Sequence, residues 1–208
     1  SISQEDAMRE LVIATRNKGK IHELMSLLSG IDVKLIDLAE ADIDIEVPET
    51  GKTFEENALL KAREYARAAR RSVLADDSGL EVDALGGAPG VNSARYGGTG
   101  MTDAERVQYL LHQMRHTSGW RRQARFRSVL AIVHFERPEY PEVICGEVNG
   151  AITHHPLGSN GFGYDPVFWL PWRACTMAEL SEQEKGEISH RGTAVRAAIP
   201  VLRRSMGL

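Results

Sequence analysis

Two adjacent carboxylates, Asp76 and Asp77, stand at the end of a short apolar run at residues 73–75. Carboxylates placed close together repel each other unless a cation or a shared proton offsets the repulsion. A hard divalent cation such as Mg²⁺ takes carboxylate oxygens and keeps coordination positions open for phosphate and water. The pair is therefore a candidate magnesium site. Asp-Ser-Gly is also ordinary turn chemistry, so these residues alone do not exclude an acidic turn.

A second candidate is the segment ATRNKGK, residues 14–20, which leads from an apolar run into a predicted helix. Backbone N–H groups and the helix dipole favour an anion at such a helix N-terminus, and Lys18 and Lys20 add positive charge. The segment is not a Walker A loop, because it has a single glycine and lacks the Gly-Lys-Ser/Thr ending. A capped helix with solvated lysines is the alternative.

An acidic connector at residues 40–49 offers further carboxylates. Pro48-Glu49-Thr50-Gly51 is a rigid turn just before a predicted helix and can aim one carboxylate inward. Glu46 and Glu49 are therefore candidates for a second metal ligand, and Asn57 in the helix is a candidate polar contact. A solvated loop and an exposed surface amide are the alternatives.

Two later segments carry residues suited to a nucleotide. In GSNGFGYDPVF, residues 158–168, glycines let the backbone approach a ligand, and Phe162 or Tyr164 offers a ring on which a base can stack. A hairpin-like loop with core aromatics explains the segment equally well. Lys185, His190 and Arg191 suit phosphate or carbonyl acceptors, although each alone fits a solvated helix start.

The elements that must position these residues follow from the apolar pattern. It predicts strands at 11–14 and 33–36, a helix after Lys20 that ends near Gly30, and a strand that ends at the two aspartates. Long strands are expected at 124–135 and 142–154, and a short one after the loop at 158–168. Three capping boxes are expected: Thr53 with Glu56, Thr102 with Glu105, and Thr176 with Glu179. A final helix is expected at about 193–206, with a kink or break at Pro200.

Composition places the chain among ordinary globular proteins, with 42% hydrophobic and 26% charged residues. We expect one domain over residues 1–208: an α/β fold with a mixed twisted sheet flanked by helices. A net charge of −4 gives no general attraction to nucleic acid or to an anionic membrane, so neither is an expected partner. Cys145 and Cys175 have neither metal-ligand nor redox spacing, which suits a cytoplasmic protein.

Six segments resemble the inosine triphosphate pyrophosphatase family, in particular its bacterial dITP/XTP branch, and together they span nearly the whole chain. They are ATRNKGK (14–20), ETGKTFEENALLKA (49–62), ADDSGLEVDALGGAPGVNSARYGG (75–98), RQARFRSVLA (122–131), GFGYDPVF (161–168) and EKGEISHRG (184–192). The resemblance implies two lobes with a central cleft, a homodimer, Mg²⁺ dependence, and hydrolysis of ITP, dITP or XTP to the monophosphate and pyrophosphate.

The resemblance also implies roles for particular residues. Asp77 matches the proton acceptor and a metal ligand, and Glu49 is the favoured second ligand. The substrate contacts implied are Thr15, Arg16, Asn17, Lys18, Gly19, Lys20, Ser78, Phe162, Gly163, Tyr164, Asp165, Lys185, His190 and Arg191. The family's usual Thr-Gly-Asn is Thr15-Arg16-Asn17 here, so the backbone at Arg16 is not expected to need a positive φ.

Two other functions are alternatives to this hypothesis. A pyrophosphatase of the Maf type, which prefers pyrimidine triphosphates, is not expected to carry FGYDP and SHRG. A nucleotide-binding regulatory module without turnover has no need of a base beside a metal, and the Asp76–Asp77 pair therefore argues against it. The expected mechanism has Asp77 as the base, with Lys18, Lys20 and Lys185 stabilising the departing pyrophosphate.

Overall fold

The computed structural model describes residues 8–208. Its α-helices are α1 (Lys18–Leu27), α2 (Phe54–Ala69), α3 (Asp103–Gln113), α4 (Glu182–Ile188) and α5 (His190–Met206). Its strands are β1 (Glu10–Ile13), β2 (Lys34–Asp37), β3 (Ser72–Val82), β4 (Gln123–Val133), β5 (Glu142–Ile152), β6 (Phe168–Leu170) and β7 (Cys175–Thr176).

Among the described residues these strands form one sheet in the order β2-β1-β3-β4-β5-β6-β7. β1 pairs in parallel with β2 and β3, whereas β6 pairs antiparallel with β5 and β7. The sheet is therefore mixed, with helices in the connections, and the predicted α/β fold class is confirmed. No helix within residues 8–208 is long and apolar enough to cross a membrane.

The chain divides into two compact units, and the boundary crosses β3 between Asp76 and Asp77. The first unit comprises the chain up to Asp76 together with Val129–Ile144 and Ala194–Leu208. The second unit comprises Asp77–Ser128 and Cys145–Thr193.

The core of the first unit forms because the last three residues of β1 are apolar and buried, and α5 carries an apolar stripe at helical spacing. Its fully buried members include Leu11, Ile13, Leu24, Leu74, Leu130, Ala194, Ala198 and Leu202. The core of the second unit combines β3 and β4 side chains with α3 and β6. Its members include Leu80, Val82, Val107, Leu110, Met114, Phe126, Phe168 and Leu170.

The predicted end of the strand at the two aspartates is wrong, because β3 continues through Asp-Ser-Gly to Val82. Leu80 and Val82 are both fully buried and alternate with Glu81, which is the period of a half-buried strand. Asp76 and Asp77 therefore lie in the middle of a strand, and the acidic-turn alternative is excluded.

The final helix also differs from its prediction. It begins at His190 and passes through Pro200 without a break. Proline removes one backbone donor from a helix interior, but Pro200 lies on the exposed side of α5, where solvent can hydrate the backbone. The buried stripe of Ala194, Ala198 and Leu202 holds the helix together across this position.

The three predicted capping boxes differ in outcome. Thr102 and Glu105 form both reciprocal bonds at the start of α3. Thr176 and Glu179 also form both, but the turn they cap is a short 3₁₀ segment, Met177–Glu179. Thr53 accepts from the Glu56 N–H, whereas the Glu56 carboxylate accepts from Lys52 N at 2.6 Å. Only half of that box is present, and an additional one, Ser181 with Glu184, opens α4.

Candidate functional site

The two aspartates occupy neighbouring positions on β3 and are both buried, with Asp76 0% and Asp77 4% exposed. Successive side chains of a strand point to opposite faces of the sheet, so the two carboxylates have separate surroundings. Lys20 Nζ lies 3.1 Å from Asp76 Oδ1. The positive charge that the aspartate pair was expected to need is therefore supplied to Asp76 by a lysine.

Lys20 is positioned by the segment at residues 14–20. Asn17 is the N-cap of α1, and its Oδ1 accepts from Lys20 N at 3.0 Å. Thr15 Oγ1 in turn accepts from Asn17 N at 3.2 Å. These bonds cap the N-terminus of α1 with Lys18 and Lys20 in its first turn, and anion binding there stays a prediction.

Arg16 has a structural role in this segment. Its Nη2 donates to the carbonyls of Ile43 and Ile45 at 2.9 and 2.8 Å, so it holds the acidic connector in place. Its φ is not positive, as was expected from the replacement of glycine. A direct substrate contact from Arg16 stays a prediction.

Lys61 joins the acidic connector to β3. It is 6% exposed, and its Nζ lies 3.0 Å from Glu49 Oε1 and 2.6 Å from the carbonyl of Asp76. Glu46 is exposed, so Glu49 is the connector carboxylate that the first unit holds in place. We refer to Lys20, Glu49, Lys61 and Asp76 as the lysine–carboxylate cluster.

Lys61 was not among the predicted site residues, yet a signal for it exists. It stands between Ala58 and Ala62 on the buried stripe of α2, where a lysine is rarely found unless its charge is paired. Asn57 lies on the same stripe and is fully buried, not an exposed amide. Its Oδ1 accepts from Gly51 N at 2.7 Å and so fixes the turn that carries Glu49.

A second group of residues lies in the second unit around Phe162. Arg191 is 1% exposed, its Nη2 donates to Ser78 Oγ at 2.7 Å, and its Cζ lies 5.8 Å from the Phe162 ring centroid. Lys185 Nζ lies 4.7 Å from that centroid and 2.6 Å from Asp165 Oδ2. We refer to Ser78, Phe162, Asp165, Lys185 and Arg191 as the aromatic–basic cluster.

Three hydrogen bonds fix the loop that carries Phe162. Asp165 Oδ2 accepts from Phe162 N at 3.0 Å, and Asp103 Oδ2, from the first turn of α3, accepts from Gly163 N at 2.8 Å. Tyr164 donates its hydroxyl to the carbonyl of Ser93 at 2.7 Å. Gly163 has a φ of 60°, a conformation in which glycine is preferred.

The two aromatic candidates therefore have different roles. Tyr164 is 6% exposed, and burial raises the pKa of its hydroxyl well above the ordinary value. It is a core residue, as one of the two interpretations of this loop proposed. Phe162 is partly exposed and has cations near its ring, so it is the one available for stacking.

His190 is not a solvated helix start. It is 4% exposed, and its ring stacks on Phe126 with centroids 4.7 Å apart and planes 15° apart. It adjoins Arg191 at the start of α5, where Ser189 Oγ accepts from Gly192 N at 3.0 Å. The stack fixes the backbone from which Arg191 extends.

The carboxylates present could bind a metal ion, although they do not form a dense cluster of ligands. Within residues 8–208 no group of three or more His, Cys, Asp or Glu side chains is arranged to hold a metal ion. Mg²⁺ commonly uses only one or two protein carboxylates and fills its other positions with water and phosphate oxygens. Asp77 and Glu49 supply oxygen donors of that kind.

The fold and the two clusters define a mixed α/β protein with buried carboxylates paired to lysines in one unit and cations beside an aromatic ring in the other. Comparison with known proteins identifies the family: the model of the Ham1 family matches residues 11–201, and the chain belongs to this family. The resemblance stated from the sequence is thereby confirmed.

Relatives with similar sequences and structures cover nearly the whole chain. The dITP/XTP pyrophosphatase of Escherichia coli (strain K12) is 46% identical over 197 residues, which are 94% of this chain and 99% of that protein. A HAM1 protein from Coxiella burnetii has a TM-score of 0.86 at 43% identity, covering 95% of this chain and all (100%) of its own. The nucleoside-triphosphatase / dITP/XTP pyrophosphatase of Mycobacterium abscessus has a TM-score of 0.74 at 43% identity, with coverages of 92% and 99%.

Proposed function

We propose that this chain hydrolyses non-standard purine nucleoside triphosphates, namely ITP, dITP and XTP, to the monophosphate and pyrophosphate. The observation that carries the proposal is the buried aspartate pair on β3. Lys20 Nζ lies 3.1 Å from Oδ1 of Asp76, the first member of this pair. The lysine offsets the negative charge of Asp76, so a second carboxylate at position 77 meets less repulsion. The full-length similarity to dITP/XTP pyrophosphatases supports the same activity.

Asp77 is the proposed base in this mechanism. Its carboxylate would take a proton from the attacking water, which is the role that suits a buried acid beside a phosphate chain. Lys18 and Lys20, in the first turn of α1, would stabilise negative charge on the departing pyrophosphate together with the helix N-terminus. Lys185 is ion-paired with Asp165 beside Phe162, so we assign it to the base end of the nucleotide instead.

Magnesium is the proposed cofactor, with Asp77 and Glu49 as the residues that would hold it. Lys61 Nζ lies 3.0 Å from Oε1 of Glu49, and the Glu49 side chain keeps 32% of its surface exposed. Asn57 Nδ2 is a buried donor without a hydrogen-bond partner among the described residues, which suits a phosphate oxygen or a metal-bound water nearby. When bound, Mg²⁺ would neutralise phosphate charge and acidify a water molecule.

The choice of base is proposed to depend on hydrogen-bond polarity. Hypoxanthine and xanthine carry a carbonyl oxygen at C6, whereas adenine carries an amino donor there. Arg191 has only donors, five in number, and one of its nitrogens is bonded to Ser78. Guanidinium donors suit a carbonyl oxygen and oppose an amino group, opposite which a buried donor would be left unpaired.

The decisive experiment measures pyrophosphate release from a panel of triphosphates with Mg²⁺ and, as a control, with a chelator. We expect ITP, dITP and XTP to be hydrolysed far faster than ATP, CTP or UTP, with IMP and pyrophosphate from ITP in equal amounts. A preference for pyrimidine triphosphates would instead indicate the Maf-type activity. Binding without turnover would indicate a regulatory module, and IDP with orthophosphate would overturn the mechanism.

We also propose that the protein is a homodimer in the cytoplasm, on the strength of family membership alone. Sedimentation velocity tests the first point, since a monomer of 23.0 kDa and its dimer are well resolved. A sedimentation coefficient that stays at the monomer value over a wide concentration range would contradict it.

A further inference from the structure

A cavity of about 670 Å³ lies in the first unit, at the N-terminal ends of the parallel strands. The lysine–carboxylate cluster lies toward the C-terminal ends of these strands. The walls of the cavity include the first residues of the parallel strands β1 and β3, Glu10 and Ser72. Residues 14–20 follow the other end of β1, and Asp76 lies further along β3 from Ser72. A strand of four residues spans roughly 13 Å, so the two places are distinct.

The cavity is predominantly positive. Its charged lining residues are Arg9, Glu10, Arg70, Arg71, Glu136 and Arg137, and we call it the arginine cavity. Arg71 Nε lies 2.7 Å from Glu10 Oε2. Within residues 8–208 the other three arginines have no ion pair, so the four guanidinium groups exceed the two carboxylates in charge.

Two of these arginines are held by neutral acceptors. Arg9 donates to the carbonyls of Met206 and Gly207, and Arg137 donates to that of Ser205, at the end of α5. A helix C-terminus carries only about half an elementary negative charge, so these bonds orient two guanidinium groups without neutralising them. Each group keeps donors for another ligand.

Arg70 is presented to solvent by an unusual backbone. It closes α2 with a φ of 53°, in the left-handed region that favours glycine. Non-glycine residues are strained there, and such strain occurs preferentially at functional sites. The guanidinium lies 5.3 Å from the Phe135 ring centroid and makes no hydrogen bond within the described part of the chain.

A buried histidine completes the lining. His134 Nδ1 lies 2.8 Å from Ser72 Oγ. Burial, followed by the nearby Arg137, lowers the pKa of His134, so the ring is neutral at neutral pH. Its Nε2 has no hydrogen-bond partner among residues 8–208, so its ring reports directly on what enters the cavity.

We propose that the arginine cavity is a second anion-binding site, which takes a small ligand with one or two phosphate groups. Planar guanidinium groups match the geometry of phosphate oxygens. Several arginines with fewer carboxylates than guanidinium groups therefore suit the binding of a phosphate dianion. The volume admits pyrophosphate and also a nucleoside monophosphate. Both ligands carry a phosphate group that the arginines could bind, and the experiment distinguishes pyrophosphate from the nucleoside monophosphate.

The test is an NMR titration of the His134 ring, in magnesium-free buffer of constant ionic strength, with pyrophosphate and separately with IMP. The variant His134→Gln assigns the resonance. We expect a saturable shift of the His134 Cε1–H signal in the wild-type protein. A tighter response to pyrophosphate identifies the free anion as the ligand, and a tighter response to IMP identifies the nucleotide. No saturable shift with either would overturn the proposal.

Arg70→Gly is the informative variant, because glycine suits the left-handed backbone and the substitution removes the side chain that carries the guanidinium. We expect its melting temperature to be equal to or above that of the wild type, and its affinity for the ligand to fall about tenfold. Arg67→Ala removes one positive charge from the same helix outside the cavity and should leave the titration unchanged. Equal affinities of Arg70→Gly and wild type would contradict the proposal.

Discussion

At the scale of single residues, the surroundings of Asp76 and Asp77 separate two carboxylates that the sequence presents as a pair. Asp76 receives Lys20 at its carboxylate and Lys61 at its carbonyl. It is therefore held in place as part of the scaffold. Asp77 is the member of the pair that we propose as the base.

Replacing Asp77 by Asn should abolish most turnover while leaving the fold intact. The amide is nearly the same size but cannot accept a proton or bind Mg²⁺ as an anion, so kcat for ITP should fall by about 100-fold or more. Steady-state kinetics and thermal melting measure the two effects. Asp83→Asn, at an exposed position just after β3, is the matched control. Near wild-type turnover by Asp77→Asn would show that another residue is the base.

Arg191 allows a test of base recognition. Arg191→Ala removes a donor beside Phe162 and leaves Lys18 and Lys20 in place. The loss of about 1–3 kcal/mol of stabilisation should lower kcat/KM for ITP roughly 5- to 150-fold. Selectivity for ITP over ATP should shrink as a result. Arg191→Lys keeps the charge without the planar fork and should recover only part of the loss. Parallel losses for ITP and ATP, with a constant ratio, would assign Arg191 to the phosphates instead.

At the scale of elements, α3 and α4 hold the loop that carries Phe162 through hydrogen bonds. Asp103 on α3 accepts from Gly163 N, and Lys185 on α4 pairs with Asp165, which accepts from Phe162 N. The loop is held from both sides of Phe162. The orientation of the Phe162 ring thus depends on helix residues that lie 60 positions before and 20 positions after their loop partners.

Asp103→Ala should loosen this loop without touching the proposed chemistry. Loss of one hydrogen bond costs about 1 kcal/mol, so KM for ITP should rise about fivefold while kcat changes little. Asp103→Asn keeps an acceptor oxygen and serves as the control, with KM close to wild type. The idea fails if alanine leaves KM unchanged, or if kcat falls as much as kcat/KM.

At the scale of the whole molecule, stability should depend on pH through a histidine remote from the site. The pKa of His134 is lowered from its ordinary value of 6.5, first by burial and then by Arg137, against smaller opposing effects of Glu142 and Glu136. Below about pH 6.5 the unfolded chain therefore binds a proton that the folded protein does not. Linkage then requires the unfolding free energy to fall as pH falls from there toward the folded pKa.

His134→Gln should reduce this pH dependence. Urea unfolding of wild type and variant at about pH 7.5 and about pH 5.5 measures it, and the drop between the two values should be smaller in the variant. His112→Gln, at an exposed position on α3, is the matched control. An identical drop in wild type and His134→Gln would show that other groups carry the effect.

Much of this molecule follows from local rules that a sequence displays directly. Apolar runs and helical spacing located the major strands and helices, and Thr102 with Glu105 placed the start of α3. Residue types at motif positions identified the aspartate pair, the lysines at the N-terminus of α1 and the loop around Phe162. These features depend on neighbours within a few positions, where propensity and hydrogen-bonding capacity act without the rest of the chain.

The tertiary structure decided what depends on partners far apart in sequence. The bond from Arg191 to Ser78 joins residues 113 positions apart, and no local pattern shows that this arginine is buried. The same holds for Arg16, which binds connector carbonyls, for Tyr164, which lies in the core, and for Lys61, which reaches Asp76. A side chain's charge and shape are properties of its residue, but its burial and its partner are set by packing between elements, and these determine which polar residues support the site and which are available to a ligand.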